Sequence, residues 1–150
     1  MFVVRTACVL LMALVAYGQA TTTRQIGIPT TLEELRDDRR VLLIFAPSAG
    51  DARLEAQLRS MEKDAAGVSD RQLVVIAVPY QGEAQTQYVL KDAAAVRERF
   101  RVERADFTVI LVGKDGGEKL RDSKPLPFAR LQATIDAMPM RRQEMKERVP

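Results

Sequence analysis

Residues 41–46 read Val-Leu-Leu-Ile-Phe-Ala, six apolar residues with no polar alternation, and Pro47-Ser48-Ala49-Gly50 follows at once. A strand with one wet face alternates apolar and polar residues, and a run this short is too brief for an apolar helix. The run therefore predicts a strand covered on both faces. Such a strand lies in the middle of an α/β sheet, and its carboxyl tip is the usual place for a ligand. The break at residues 47–50 is thus the predicted location of any site.

The rest of the chain can be arranged around that strand. Leu54, Leu58, Met61 and Ala65 recur at helical spacing and predict a core-facing stripe on a helix of about fifteen residues, with Arg53, Gln57, Ser60 and Asp64 on another face. A turn is expected at residues 68–71, then a second continuous apolar strand over residues 73–78, closed by Pro79. Strand, helix and strand form a crossover, so the two strands should be parallel. After a polar loop at residues 80–87, Leu90, Ala93, Ala94, Val96 and Phe100 mark a second helix ending near Arg101. Residues 107–112 form a third apolar strand. Lys114-Asp115-Gly116-Gly117 predicts a hairpin turn, with residues 118–121 returning as a charged edge strand. Phe128, Leu131, Ile135 and Met138 form the last stripe, and Pro139 should end that helix.

Upstream, Thr31-Leu32-Glu33-Glu34 reads as a capping box opening a short helix to about Asp38. The expected divisions are a signal peptide at residues 1–20, a lead-in with a short helix at 21–40, one domain at 41–138, and a charged tail at 139–150 that extends as a helix or frays. The element order is β-α-β-α-β-β-α after the leading helix. It predicts an α/β fold with a mixed four-stranded sheet and helices on both faces.

The first twenty residues carry one positive charge, Arg5, then an eleven-residue apolar run at residues 7–17, then Gly18-Gln19-Ala20. Small residues at the two positions before a cut, after a run too short for a bilayer, predict a secretory signal cleaved after Ala20. The expected location is therefore periplasmic or extracellular, with no later run long enough to span a membrane. Cys8 is the only cysteine in the chain and lies inside the apolar run. It would leave with the signal. The chain has no histidine, so from Thr21 onward neither thiol nor imidazole chemistry is expected, and no metal site or cofactor is predicted. The net charge is +3, with acidic and basic residues interleaved, as in Arg97-Glu98-Arg99 and Glu144-Met145-Lys146-Glu147-Arg148. That pattern fits solvated faces carrying ion pairs and argues against a nucleic-acid surface, which concentrates positive charge.

Few groups at the predicted tip can carry chemistry. Ser48 is its only hydroxyl; without an imidazole it lacks an evident base, and with Asp51 three residues on it reads as a helix cap. Arg53 falls in the first turn of the following helix, where a cation opposes the helix dipole. Either an internal partner such as Asp51 or Glu55 offsets that charge, or an anionic ligand does. Gly113-Lys114 lacks the spacing of a phosphate-binding loop, and Asp37, Asp38, Asp115 and Asp136 lack calcium-loop spacing. Met138, Met140 and Met145 are read as packing residues.

The element order resembles the thioredoxin-like fold over residues 41–138. A sharper resemblance is to the secreted bacterial domain of unknown function 4174 family, related to the thioredoxin-like domains of the vertebrate DUDES extracellular proteins. It is carried by Leu43-Ile44-Phe45-Ala46-Pro47-Ser48, Asp51-Ala52-Arg53, Gln57, Arg71-Gln72-Leu73-Val74-Val75, the stretch 107–119, and the stretch 135–141. The resemblance implies that Pro47-Ser48-Ala49-Gly50 stands where thioredoxins have their Cys-x-x-Cys, and Asp106-Phe107 where they have a cis-proline. The reading that follows is an exported, redox-inactive thioredoxin-like module, without catalytic residues, that binds a protein partner or small anion through Pro47, Ser48, Asp51, Arg53 and Gln57. The alternatives are an enzyme of another type using Ser48, Arg53 and a carboxylate, and a structural envelope protein whose charged C-terminal segment is the contact surface.

Overall fold

The computed structural model describes residues 27–148. The expected signal segment, its cleavage point after Ala20, and Cys8 lie outside them. The elements run β1 (Ile28–Thr30), α1 (Leu32–Leu35), β2 (Arg40–Ser48), α2 (Ala52–Lys63), α3 (Ala65–Asp70), β3 (Leu73–Gln81), β4 (Tyr88–Leu90), α4 (Ala93–Arg99), β5 (Thr108–Val112), β6 (Glu118–Asp122), α5 (Phe128–Asp136) and α6 (Pro139–Glu147).

The four-stranded sheet has the order β3-β2-β5-β6. β2 pairs in parallel with β3 and antiparallel with β5, and β5 pairs antiparallel with β6. The unalternating run at 41–46 is buried on both faces, as its composition requires. Leu42, Ile44 and Ala46 face a core closed by Leu54 and Met61 of α2 and by Phe128, Leu131 and Ile135 of α5. Val41, Leu43 and Phe45 face a second core with Leu35, Val96, Phe100 and Val102. Burying one such side chain contributes about 1.5–3 kcal/mol, so the strand that feeds both layers holds the fold together.

Several expectations are corrected. The lead-in contains a strand, β1, which pairs in parallel with β4, so a second, two-stranded sheet lies beside the first. The single fifteen-residue helix is two helices, broken at Asp64, and the expected turn at 68–71 is mostly the end of α3. Leu90 ends β4 rather than opening a helix, and Ala94 is exposed. The leading helix stops at Leu35, although its capping box forms: Glu34 N–H donates to the Thr31 hydroxyl at 3.2 Å and Thr31 N–H to the Glu34 carboxylate at 2.9 Å.

Pro139 does not simply end a helix. It occupies the first turn of α6, where its missing N–H costs nothing. The charged segment folds back as α6 onto the amino ends of the strands. Arg40, 1% exposed, donates to both oxygens of Glu144 at 3.2 and 3.0 Å. Lys114 Nζ lies 2.8 Å from the same carboxylate. Arg141 is 2% exposed and bridges Asp70 and Asp136, and Arg71 forks onto Asp136 at 3.0 and 2.7 Å. Burial pushes the Glu144 carboxyl up, but hydrogen bonds from Arg40 and Lys114 outweigh it and hold the group at about 2.

Candidate functional site

The strand tip is where the order of the chain places it, but its local structure differs from the expectation. β2 continues through Pro47 to Ser48, which pairs with Gln81, and Ala49 N–H donates to Gln81 O at 2.8 Å. Pro47 is tolerated in this central strand because the ladder to β5 has already ended at Phe45 and Thr108. Asp51, not Ser48, caps α2: its carboxylate accepts from Arg53 N–H at 2.9 Å. The Ser48 hydroxyl forms no hydrogen bond among the described residues, so no lysine or carboxylate is hydrogen-bonded to it as a base. Gly50, exposed, has nothing within 4 Å of where a Cβ would stand, so the tip projects into open space.

Arg53 is closed on its own neighbour. Its Nε donates to Asp51 Oδ1 at 3.0 Å and its Nη2 to Oδ2 at 2.7 Å, while the guanidinium lies 5.0 Å from the centre of the Phe107 ring. Hydrogen bonds from Arg53 hold the Asp51 carboxyl below its ordinary range, and Asp51 raises Arg53 in turn. The dipole conflict expected at the first turn is thus offset within the loop, by the first of the two internal partners considered. Glu55 pairs instead with Arg59.

Gln57, expected among the binding residues, does not reach the surface. It is fully buried, donating from Nε2 to Leu126 O at 3.1 Å and accepting the Leu126 N–H at 2.6 Å. A glutamine offers a donor and an acceptor side by side, so it can stand in for a strand neighbour to a stretch of chain that has none. Here that stretch lies between Pro125 and Pro127. Pro47, Ser48, Asp51 and Arg53 therefore stay together at the tip, and Gln57 belongs to the core beneath it.

The residue that sequence reasoning missed is Arg97. Placed among solvated ion pairs, it is instead 8% exposed and forms no ion pair among the described residues. Its Nη2 donates to Val78 O at 2.7 Å and Ala46 O at 3.3 Å, and its Nη1 to Glu103 O at 3.0 Å, so it ties the tips of β2 and β3 to the segment after α4. The guanidinium lies 5.2 Å from the Phe45 ring centre and 5.8 Å from that of Tyr80. Burial pushes its pKa down, with Tyr80 and Asp106 partly opposing. A signal was present: Ala93, Val96, Arg97 and Phe100 fall on one helical stripe, and three of them are apolar.

Among the described residues no group of three or more histidine, cysteine, aspartate or glutamate side chains could hold a metal, and no helix is long and apolar enough to cross a membrane.

Residues 31–144 match the family described as Domain of unknown function (DUF4174). No curated protein matches the chain. Among solved structures, the reduced 2-Cys peroxiredoxin of Plasmodium vivax is similar at 13% identity and a TM-score of 0.55, over 76% of this chain and 84% of that one. The peroxidoxin BcpB of Mycobacterium tuberculosis is similar at 18% identity and 0.56, over 71% and 84%. A protein assigned as the thiol:disulfide interchange protein DsbE of Chlorobium tepidum is similar at 16% identity and 0.50, over 66% and 79%. These likenesses establish the fold as thioredoxin-like.

Proposed function

The chain belongs to the DUF4174 family, and from that premise we propose that it is an exported, redox-inactive thioredoxin-like module that engages a protein partner through the strand tip at Pro47, Ser48 and Asp51. The observation that carries this reading is the chemical state of the tip. Arg53 is closed on Asp51, the Ser48 hydroxyl is hydrogen-bonded to no base, and Gly50 stands clear of its surroundings. A surface with neither an activated nucleophile nor an uncompensated charge offers shape and backbone groups, which suit contact with another chain. The balanced Asp51–Arg53 pair makes a small anion the weaker candidate at this tip. Names of the similar structures point to thiol chemistry, but this chain's one cysteine is Cys8, inside the expected signal. α6 turns Arg141 and Glu144 inward, which removes charge from the surface a structural envelope protein would use.

A photocrosslinking residue in place of Gly50, with Glu147 as the control position, tests the reading in cells that export the protein. Crosslinking from position 50 and not from 147 is expected, to one discrete product. Equal labelling from both positions sinks the contact assignment. The purified chain starting at Thr21 should match buffer in insulin reduction and peroxide consumption, and turnover there would overturn redox inactivity.

A further inference from the structure

On the face of the sheet opposite Arg53, α4 and the segment after it form an open groove of about 720 Å³ lined by Val78, Tyr80, Arg97, Arg101, Val102 and Arg104. Two features of this groove run against stability, and a third leaves a cation unpaired at its mouth. Arg97 is buried with no carboxylate in direct contact and only Asp106 acting on it from a distance, and carbonyl dipoles are weaker compensation for a desolvated cation than a paired counter-charge. Arg101 occupies the left-handed position, φ 53°, that closes α4: its N–H donates to Glu98 O at 2.9 Å and that of Val102 to Arg97 O at 3.0 Å. Glycine is the residue that fits such a closure, and a side chain there is strained. Arg104 has no ion pair among the described residues, and its guanidinium lies 5.0 Å from the Tyr80 ring centre, on a ring that is 44% exposed.

Local choices that weaken a fold and converge on one concavity are the mark of a site. We propose that this groove binds an oxyanion, phosphate or carboxylate, carried on a partly apolar small molecule. Arg97 supplies a fixed field from below, since its donors are mostly taken by carbonyls. Arg104 and Arg101 keep their planar forks for the anion itself. Val78, Pro79 and Val102 receive the apolar body. Glu98 and Glu103 also line the groove, leaving one net positive charge, which favours a singly or doubly charged small anion over a polyanion. This site is separate from the tip at residues 47–51, and neither depends on the other.

The test titrates the purified chain with phenyl phosphate, benzoate and inorganic phosphate at low salt, following binding by calorimetry. Saturable binding of phenyl phosphate or benzoate is expected, weakening with ionic strength, and phenyl phosphate should bind more tightly than inorganic phosphate. Arg104→Ala, on the surface, should weaken binding about tenfold or more without changing Tm. Arg97→Met should weaken binding and lower Tm, since it leaves the carbonyls of Val78, Ala46 and Glu103 without their donor, whereas Arg101→Gly should weaken binding while leaving Tm unchanged or raised. No saturable binding of either organic anion overturns the proposal, as does unchanged affinity in Arg104→Ala. Affinity left intact in both Arg97→Met and Arg101→Gly would make both arginines purely structural and overturn it equally. Equal affinity for phenyl and inorganic phosphate would eliminate the apolar body. Crosslinking from position 50 is unaffected by any of these results, so the two sites fail separately.

Discussion

Arg53 and Asp51, two residues apart, form a closed fork: Nε and Nη2 of the arginine meet the two carboxylate oxygens at 3.0 and 2.7 Å, and the same carboxylate caps the Arg53 N–H. The two partners are unequal. Asp51 serves the helix and the arginine together, whereas Arg53, with nearly half its side chain exposed, only screens Asp51.

Asp51→Ala should therefore cost about 1 kcal/mol, the worth of a lost N-terminal cap, read from the urea midpoint. Arg53→Ala should lower Tm only slightly and leave crosslinking from position 50 intact. If instead Arg53→Ala abolished the crosslink at unchanged Tm, the arginine would be a contact residue and the tip would have been misread.

Gln57→Leu keeps the volume of the side chain and removes its polar end. The Leu126 N–H and C=O would then be buried without partners, at roughly 1–3 kcal/mol for each group left unmet. We expect a total loss of about 2–4 kcal/mol. A loss below about 1 kcal/mol would mean that water replaces the amide.

The Glu144 carboxyl, held at about 2 in the folded protein against an ordinary 4.5, stabilises the fold above pH 4.5. Because the folded value is the lower one, that contribution falls away as acid is added, from near pH 4.5 down through 2. Other lowered carboxyls, Asp51 and Asp70 among them, act in the same direction, so the informative quantity is the difference between the parent and Glu144→Gln. That difference should be about 2 kcal/mol at pH 7, allowing for the partial exposure of the pair, and should vanish near pH 2. A gap that persisted at pH 2 would place its origin in packing.

Gly67, in α3, lies under the Phe128 ring, where an added Cβ would approach two ring carbons at 2.6 Å. Alanine is ordinarily the better helix residue, yet Gly67→Ala should destabilise by roughly 1–3 kcal/mol because α3 and α5 must separate. Thermal melts decide the sign, and stabilisation would show that the ring gives way freely.

The central strands were legible because an unbroken apolar run has few places to go. Residues 41–46 and 73–78 sit in the sheet, as does the expected run at 107–112 from Thr108 onward, and the Gly116 turn, φ 79°, follows as expected. β1 and β4 were not legible, since each has three residues and owes its order to the other, sixty positions away, in the pairing of Ile28 with Tyr88. Gln57 was placed on the wrong face because polarity ordinarily predicts exposure, and only the stretch around Leu126, remote in sequence, makes an amide useful inside. Arg97 failed for the same reason, although its helical stripe carried the hint. At the tip, the presence of Asp51 beside Arg53 was readable, but the choice of Asp51 over Ser48 as cap depended on β2 running two residues further than its apolar letters.

The pairing of Arg40 with Glu144 spans 104 positions, and this has a consequence for the order of events as the chain is made. Synthesis delivers the amino-terminal side first. Both apolar layers and all four strands of the main sheet are available by residue 136, before the helix that carries Glu144 has emerged. Until then the guanidinium of Arg40 has its hydrogen bond to Arg71 O but no counter-ion. The last helix thus acts as a latch on a nearly finished fold. A chain interrupted at residue 143 would keep its whole sheet, yet it would have to leave one end ajar so that water could reach the stranded cation.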